Sequence, residues 1–146
     1  MLIHAKSDYA IRALLVLADR APELVKLDVL VAQQAMPRAF LEIILGELRR
    51  AGMVRSRRGP DGGWTMSVPA DRITIGEVIR VVDGPLGVPP QPQVADSGPG
   101  NPARHLPTIW LALTASLSRV LDQTTLEQVL TGGLPEQVLE LAGAAG

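Results

Sequence analysis

The sequence predicts a mainly α-helical chain with one small β-hairpin, and three observations carry that expectation. Hydrophobic residues make up 47% of the 146 residues but aromatics only 3%, so the interior must be built from Leu, Val, Ile and Ala, which suits packed helices better than a strand-rich sandwich. Apolar residues recur at helical spacing in several separate windows, each the mark of a helix with one buried face. A single window alternates instead, around a tip rich in glycine, as a hairpin does. The length is that of one domain by the usual measure of about 100–200 residues.

Residues 8–20, DYAIRALLVLADR, place Ile11, Leu14, Leu15, Leu17 and Ala18 at helical spacing, and Pro22 ends this first helix. A second, short helix fits residues 28–34, with Asp28 as its N-cap and Leu30, Val31 and Ala32 as its apolar side. Pro37 starts a third helix at the first helical position, where its missing N–H would be unpaired anyway. In that helix Leu41, Ile44, Leu45 and Leu48 form the apolar face, Arg38, Glu42, Gly46 and Arg49 lie opposite, and Gly52 stops it. Helices two and three, joined by Ala35 and Met36, compose a helix-turn-helix whose second member reads DNA by its N-terminal residues. An ordinary helical hairpin has the same outline, and the next segment separates the two.

Residues 53–67 alternate in a strand-like way around Gly59-Pro-Asp-Gly-Gly63, whose Gly and Asp supply the positive φ angles of a hairpin turn. Directly after a candidate recognition helix, this reads as a wing rather than a plain surface hairpin. Six arginines (38, 49, 50, 55, 57 and 58) stand against two acids, Glu42 and Glu47, between Arg38 and Arg58. That local balance of +4 lies in a chain of net charge −1, concentrated where a polyanion would bind. Residues 1–83 carry twelve basic and ten acidic side chains, residues 84–146 two and five, so the first part is the one suited to nucleic acid.

Thr74-Ile-Gly-Glu77 has capping-box spacing and opens a fourth helix through Val82, closed by Asp83-Gly84-Pro85. Six prolines and four glycines then fall within residues 84–103, a loop. From Leu106 or Pro107, the residues Ile109, Trp110, Leu113, Leu117, Val120 and Leu121 describe a helix of about four turns whose apolar stripe is too long to stay uncovered; packing on its copy in a second subunit is expected, with packing back onto its own domain as the alternative. Trp110 is read as core on that stripe, with the wall of a ligand pocket as the alternative, and Trp64 as the aromatic bracing the wing. Residues 126–145 hold one or two short helices. The chain thus divides into a winged helix-turn-helix domain (1–83), a Pro/Gly-rich loop (84–105), and a long dimerisation helix with its tail (106–146).

In this order the chain resembles the Rrf-two family of bacterial winged-helix regulators, which includes iron–sulfur-cluster, nitric-oxide-sensing and cysteine-metabolism repressors. The motifs are DYAIRALL at 8–15, PRAFLE at 37–42, LRRAGMV at 48–54, RGPDGG at 58–63, and IGEVI at 75–79 leading into DGPL at 83–86. Coverage is strong over residues 1–87 and general beyond. The resemblance implies a homodimer with two recognition helices on a palindromic operator of double-stranded DNA, acting as a repressor. The candidate DNA-binding set is Lys6, Tyr9, Pro37, Arg38, Ala39, Glu42, Arg49, Arg50, Arg55, Arg57, Arg58, Gly59, Gly62 and Gly63.

One departure is decisive for the cofactor. Many members hold an iron–sulfur cluster on three cysteines in the loop before the dimerisation helix, and this chain has no cysteine. A thiolate-bound cluster is excluded, and no cofactor is expected. Asp8 and His105 stand near positions that resemble non-cysteine cluster ligands in some relatives; without sulfur they offer only a weak N/O metal site. Control by a small molecule or a protein partner, acting on the loop and the dimerisation helix, is the reading that remains. A protein-interaction module of the same fold and an O/N-ligated metal-sensing repressor are the alternatives. An enzyme is not expected: His4 and His105 lack a paired serine or carboxylate, and Gly59–Gly63 lacks the lysine and context of a phosphate-binding loop. No apolar run reaches the roughly 18 residues of a membrane span, and the N-terminus lacks a signal peptide's order, so a cytoplasmic protein is expected.

Overall fold

A computed structural model describes residues 3–86 and 98–146. Three helices, α1 (Ala5–Arg20), α2 (Leu27–Gln34) and α3 (Arg38–Arg50), precede the antiparallel strands β1 (Val54–Arg57) and β2 (Gly63–Met66). A 3-10 turn (Ala70–Arg72) leads to α4 (Ile75–Asp83), followed by α5 (Leu106–Gln123), α6 (Leu126–Thr131) and α7 (Glu136–Ala145). Helices with one small hairpin are the architecture that the composition and periodicities predict. Residues 87–97 of the Pro/Gly-rich loop lie outside the described residues; residues 99–100 and 102–105 are turns.

α1 begins a turn earlier than its apolar periodicity indicates. The polar Ser7 that interrupts the pattern is fully buried, and its hydroxyl donates to Asp83 at the end of α4. A tertiary partner, invisible in a local window, makes that burial tolerable. The N-cap of α2 is Lys26 rather than Asp28, which sits in the first turn, where a negative charge suits the helix dipole. Likewise Pro37 is the N-cap of α3 and not its first helical residue.

The chain bends by 116° between α2 and α3, within the range of a helix-turn-helix. Ala35 makes that bend in the left-handed region (φ 49°, ψ 43°). Leu41, Ile44, Leu45 and Leu48 of α3 are all fully buried, against Leu14 and Leu17 of α1, Leu30 of α2, Val54 of the hairpin and Val78 and Val82 of α4. The α4 capping box is present: the Glu77 N–H donates to Thr74 Oγ1 at 3.2 Å and the Thr74 N–H to Glu77 Oε2 at 2.8 Å.

In the hairpin Arg55 faces Thr65 and Ser56 faces Trp64. β2 pairs on its other edge with Val25, through Val25 N–H to Trp64 O and Trp64 N–H to Val25 O, both at 2.8 Å. The wing is therefore tied to the segment entering α2. Two glycines serve this packing: a Cβ on Gly63 would lie 2.7 Å from the Val25 carbonyl oxygen, and one on Gly62 2.0 Å from that of Arg57. Gly62 is buried, so its place in the candidate DNA set gives way to a structural one.

Of the residues of α5 only Leu121 is buried. Leu121 lies at the helix's C-terminal end, where Arg80 of α4 donates two hydrogen bonds to Asp122, at 2.7 and 2.8 Å. Ile109 is 59% exposed and Leu113 40%, and Trp110 is only half-buried, so within a single chain Trp110 is not the core residue expected. After α5 the chain returns to the first unit: Ile75 N–H donates to Thr124 O and Leu126 N–H to Ile73 O, both at 2.9 Å. Leu126 joins the same core as α1 and α3.

Candidate nucleic-acid interface

The surface of α3 follows from its buried stripe. With 3.6 residues per turn, the line opposite Leu41, Ile44, Leu45 and Leu48 runs through Ala39, Ile43, Gly46 and Arg50. Arg38, Glu42 and Arg49 do not lie on that line; they form the flank turned toward α2 and the wing. The side-chain partners agree. Arg38 forms an ion pair with Asp28 of α2, and Arg49 reaches Ser56 of β1 at 3.2 Å while its guanidinium lies 5.6 Å from the Trp64 ring centroid. Trp64, half-buried against the core, braces the wing as expected and also holds an arginine over its face, an arrangement worth about 0.5–1 kcal/mol at an exposed site.

The opposite flank faces α1. Lys6, expected to reach nucleic acid, is half-buried and lies 2.8 Å from the Glu47 carboxylate of α3. Tyr9 packs edge-on to Phe40, with ring centroids 5.8 Å apart. Both residues fix α3 against α1 and leave little of their side chains for a ligand.

The wing and the end of α3 keep their arginines out of ion pairs. Arg50, Arg55, Arg57 and Arg58 are exposed, and none has an acidic partner among the described residues. Lys26, Arg49, Arg57, Arg58 and Gly59 converge on a cleft of about 400 Å³ between the wing and the start of α2. Three elements thus contribute positive charge to one concave surface, which raises the potential there beyond what any one of them supplies. Glu42 is exposed and unpaired among the described residues, on the flank of α3 that also carries Arg38 and Arg49. Pro37 and Ala39 are exposed at the start of α3.

Lys26, Ser56 and Ile43 belong to this surface and were not singled out from sequence, and Asp28, read as a cap, is the partner of Arg38. A signal for Ile43 existed: Ile43-Ile44-Leu45 is an apolar triplet, and a helix with one buried face cannot bury all three.

A family profile described as an iron-dependent transcriptional regulator matches residues 3–132. The chain belongs to the Rrf2 family of transcriptional regulators. It is 42% identical over 143 residues to a protein named as HTH-type transcriptional regulator Rv1287 of Mycobacterium tuberculosis, covering 97% of this chain and 89% of that one. Among solved structures it is similar to CymR of B. subtilis, titled the global cysteine regulator, with a TM-score of 0.73 and 28% identity over 90% of this chain and 97% of that one. It is also similar to T. potens IscR, with a TM-score of 0.72 and 26% identity over 91% and 88%. The fold is that of these winged-helix regulators, and the chain is a DNA-binding regulator rather than an enzyme.

The iron in the family description is tested by the donors present. There is no cysteine, and no group of three or more His, Asp or Glu side chains close enough to hold a metal exists among the described residues. Asp8 is engaged by Arg12 at 2.7 Å, and His105 is exposed at the start of α5. The described residues do not fit a thiolate-ligated cluster. No single described helix is long and apolar enough to cross a membrane.

Proposed function

We propose that this chain is a homodimeric transcriptional repressor that binds a palindromic operator and holds no iron–sulfur cluster. The observation that carries the DNA reading is the meeting, on one rigid unit, of the outward ridge of α3 with Arg50, Arg55, Arg57 and Arg58, none of them neutralised by an acid among the described residues. Arginines left free of acids cost stability through mutual repulsion and are useful to a polyanion's partner. The exposed Ile109 and Leu113 on α5 support a second copy as the cover for that helix, each giving about 1 kcal/mol or more when buried. Two copies related by a twofold axis present two α3 helices to half-sites about one helical turn apart. Bound across promoter DNA, such a dimer excludes polymerase, hence a repressor. A small molecule or protein partner acting on the segment of residues 84–105 and on α5 controls it.

Sedimentation equilibrium and operator binding test this together. Wild type sediments as a dimer at micromolar concentration and protects two half-sites; Ile109→Glu with Leu113→Glu yields folded monomers with operator affinity reduced a hundredfold or more. Wild-type monomers that bind single half-sites would overturn the dimer and the palindrome.

A further inference from the structure

The outward ridge of α3 contains one large apolar side chain that folding does not explain. Ile43 is 56% exposed, between Ala39, which is small, and Gly46, which has no side chain. A Cβ on Gly46 would meet only the Arg50 guanidinium, at 3.6 Å. Ile43 therefore projects alone from the middle of a smooth strip, with Arg50 beyond it and Glu42 beside it. A β-branched residue at an exposed helix position is a worse helix former than Ala, Glu, Lys or Gln, and an exposed isoleucine gains nothing from the core. Its chemistry is suited to an apolar partner of its own small size.

We infer that Ile43 is a specificity-determining residue that contacts the C5-methyl group of a thymine in the major groove of each half-site. The inference rests on the DNA-binding reading of α3. In the major groove the thymine methyl is the one apolar group on a base edge, and it distinguishes thymine from cytosine. A single apolar side chain set between Ala39 and Gly46, with Arg50 beyond it, matches one methyl group better than it matches a protein surface, which would need a contiguous apolar patch. Arg50, next along the ridge, supplies charge to the backbone; Ile43 supplies selectivity without charge.

Operators selected from random DNA by the wild type provide the test, with each thymine replaced in turn by deoxyuridine, which removes only the methyl. At one symmetry-related thymine per half-site the replacement weakens wild-type binding about fourfold, equivalent to about 0.8 kcal/mol for one methyl. Ile43→Ala is indifferent to that replacement, Ile43→Val keeps part of the response, and both retain the wild-type salt slope, since the same phosphates stay neutralised. Identical deoxyuridine profiles for wild type and Ile43→Ala overturn the inference while leaving DNA binding intact. Selection of no sequence by the wild type overturns the DNA-reading helix itself, and Ile43 with it.

Discussion

Gly76, in the first turn of α4, is where helix packing meets the ion pair that anchors α5. A Cβ there would lie 2.1 Å from Asp122 Oδ1 and 3.1 Å from both Asp122 Cγ and Arg80 Nη1, so Gly76→Ala must displace the Asp122 carboxylate from its two hydrogen bonds. Because Asp122 is a short side chain able to rotate, the backbone keeps its place and the pair is broken. Arg80 and Asp122 are 39% and 37% exposed, so solvent screening limits the pair to about 1 kcal/mol or less. Alanine also gains up to about 1 kcal/mol over glycine in a helix, and the net effect of Gly76→Ala on unfolding is close to zero. The coupling is not zero. In an Asp122→Ala background the clash is gone, and Gly76→Ala stabilises by its full helical advantage, so the double-mutant cycle gives an interaction of about 0.5–1 kcal/mol. The Arg80 hydrogen bonds hold the Asp122 carboxyl below its ordinary pKa, with burial opposing. A depressed carboxylate pKa contributes stability above the unfolded value near 3.9 and loses it as pH falls through the folded value. The coupling therefore fades below about pH 4. Urea titrations of the four proteins at pH 7 and pH 3 measure it, and additive effects at pH 7 would refute the displacement.

Three further outcomes follow from the same surfaces. Arg57→Ala or Arg58→Ala weakens binding to all DNA sequences and lowers the log–log salt slope by about 0.9 for each phosphate no longer neutralised; an unchanged slope in both removes the wing from the footprint. Glu42, an exposed and unpaired acid on the flank of α3 that carries Arg38 and Arg49, repels phosphates and can accept a bond from cytosine, so Glu42→Ala binds random DNA as well as or better than wild type and discriminates less among operator variants, by about 1–3 kcal/mol at one base. An identical selected consensus would strike Glu42 from the readout. Ala35→Gly relieves a left-handed alanine, a penalty of about 1–2 kcal/mol offset by about 0.5–1 kcal/mol of glycine entropy; thermal unfolding shifts upward by about 2–4 °C per kcal/mol gained, and a lowered midpoint would show that the turn is unstrained.

Much of the interface was legible in the chain itself. The order of helix, turn, helix and arginine-bearing hairpin is local information, because Pro37, Gly52 and the Gly59–Gly63 tip punctuate it by backbone geometry alone. The Thr74/Glu77 cap was equally plain, since both partners lie three residues apart. Side-chain pairings across elements were not. Arg38 joins Asp28 rather than Glu42, and Lys6 joins Glu47 across 41 positions, because which charges meet depends on how two helices cross.

The sequence by itself determined where the helices and the wing lie and where positive charge gathers, because apolar periodicity, proline and glycine act through the nearest few residues. It also determined that these residues offer no thiolate ligand, since no cysteine is among them. Only the tertiary structure decided what meets the flanks of α3, turning Arg38 and Arg49 toward α2 and the wing. It likewise decided that Ser7 is buried on Asp83, that Leu126 returns to the first core, and that α5 keeps Ile109 and Leu113 uncovered. The physical reason is common to all of these. Burial and pairing are set by elements distant in sequence that pack together, and the period of a helix says that it has a buried face without saying what will meet the other side.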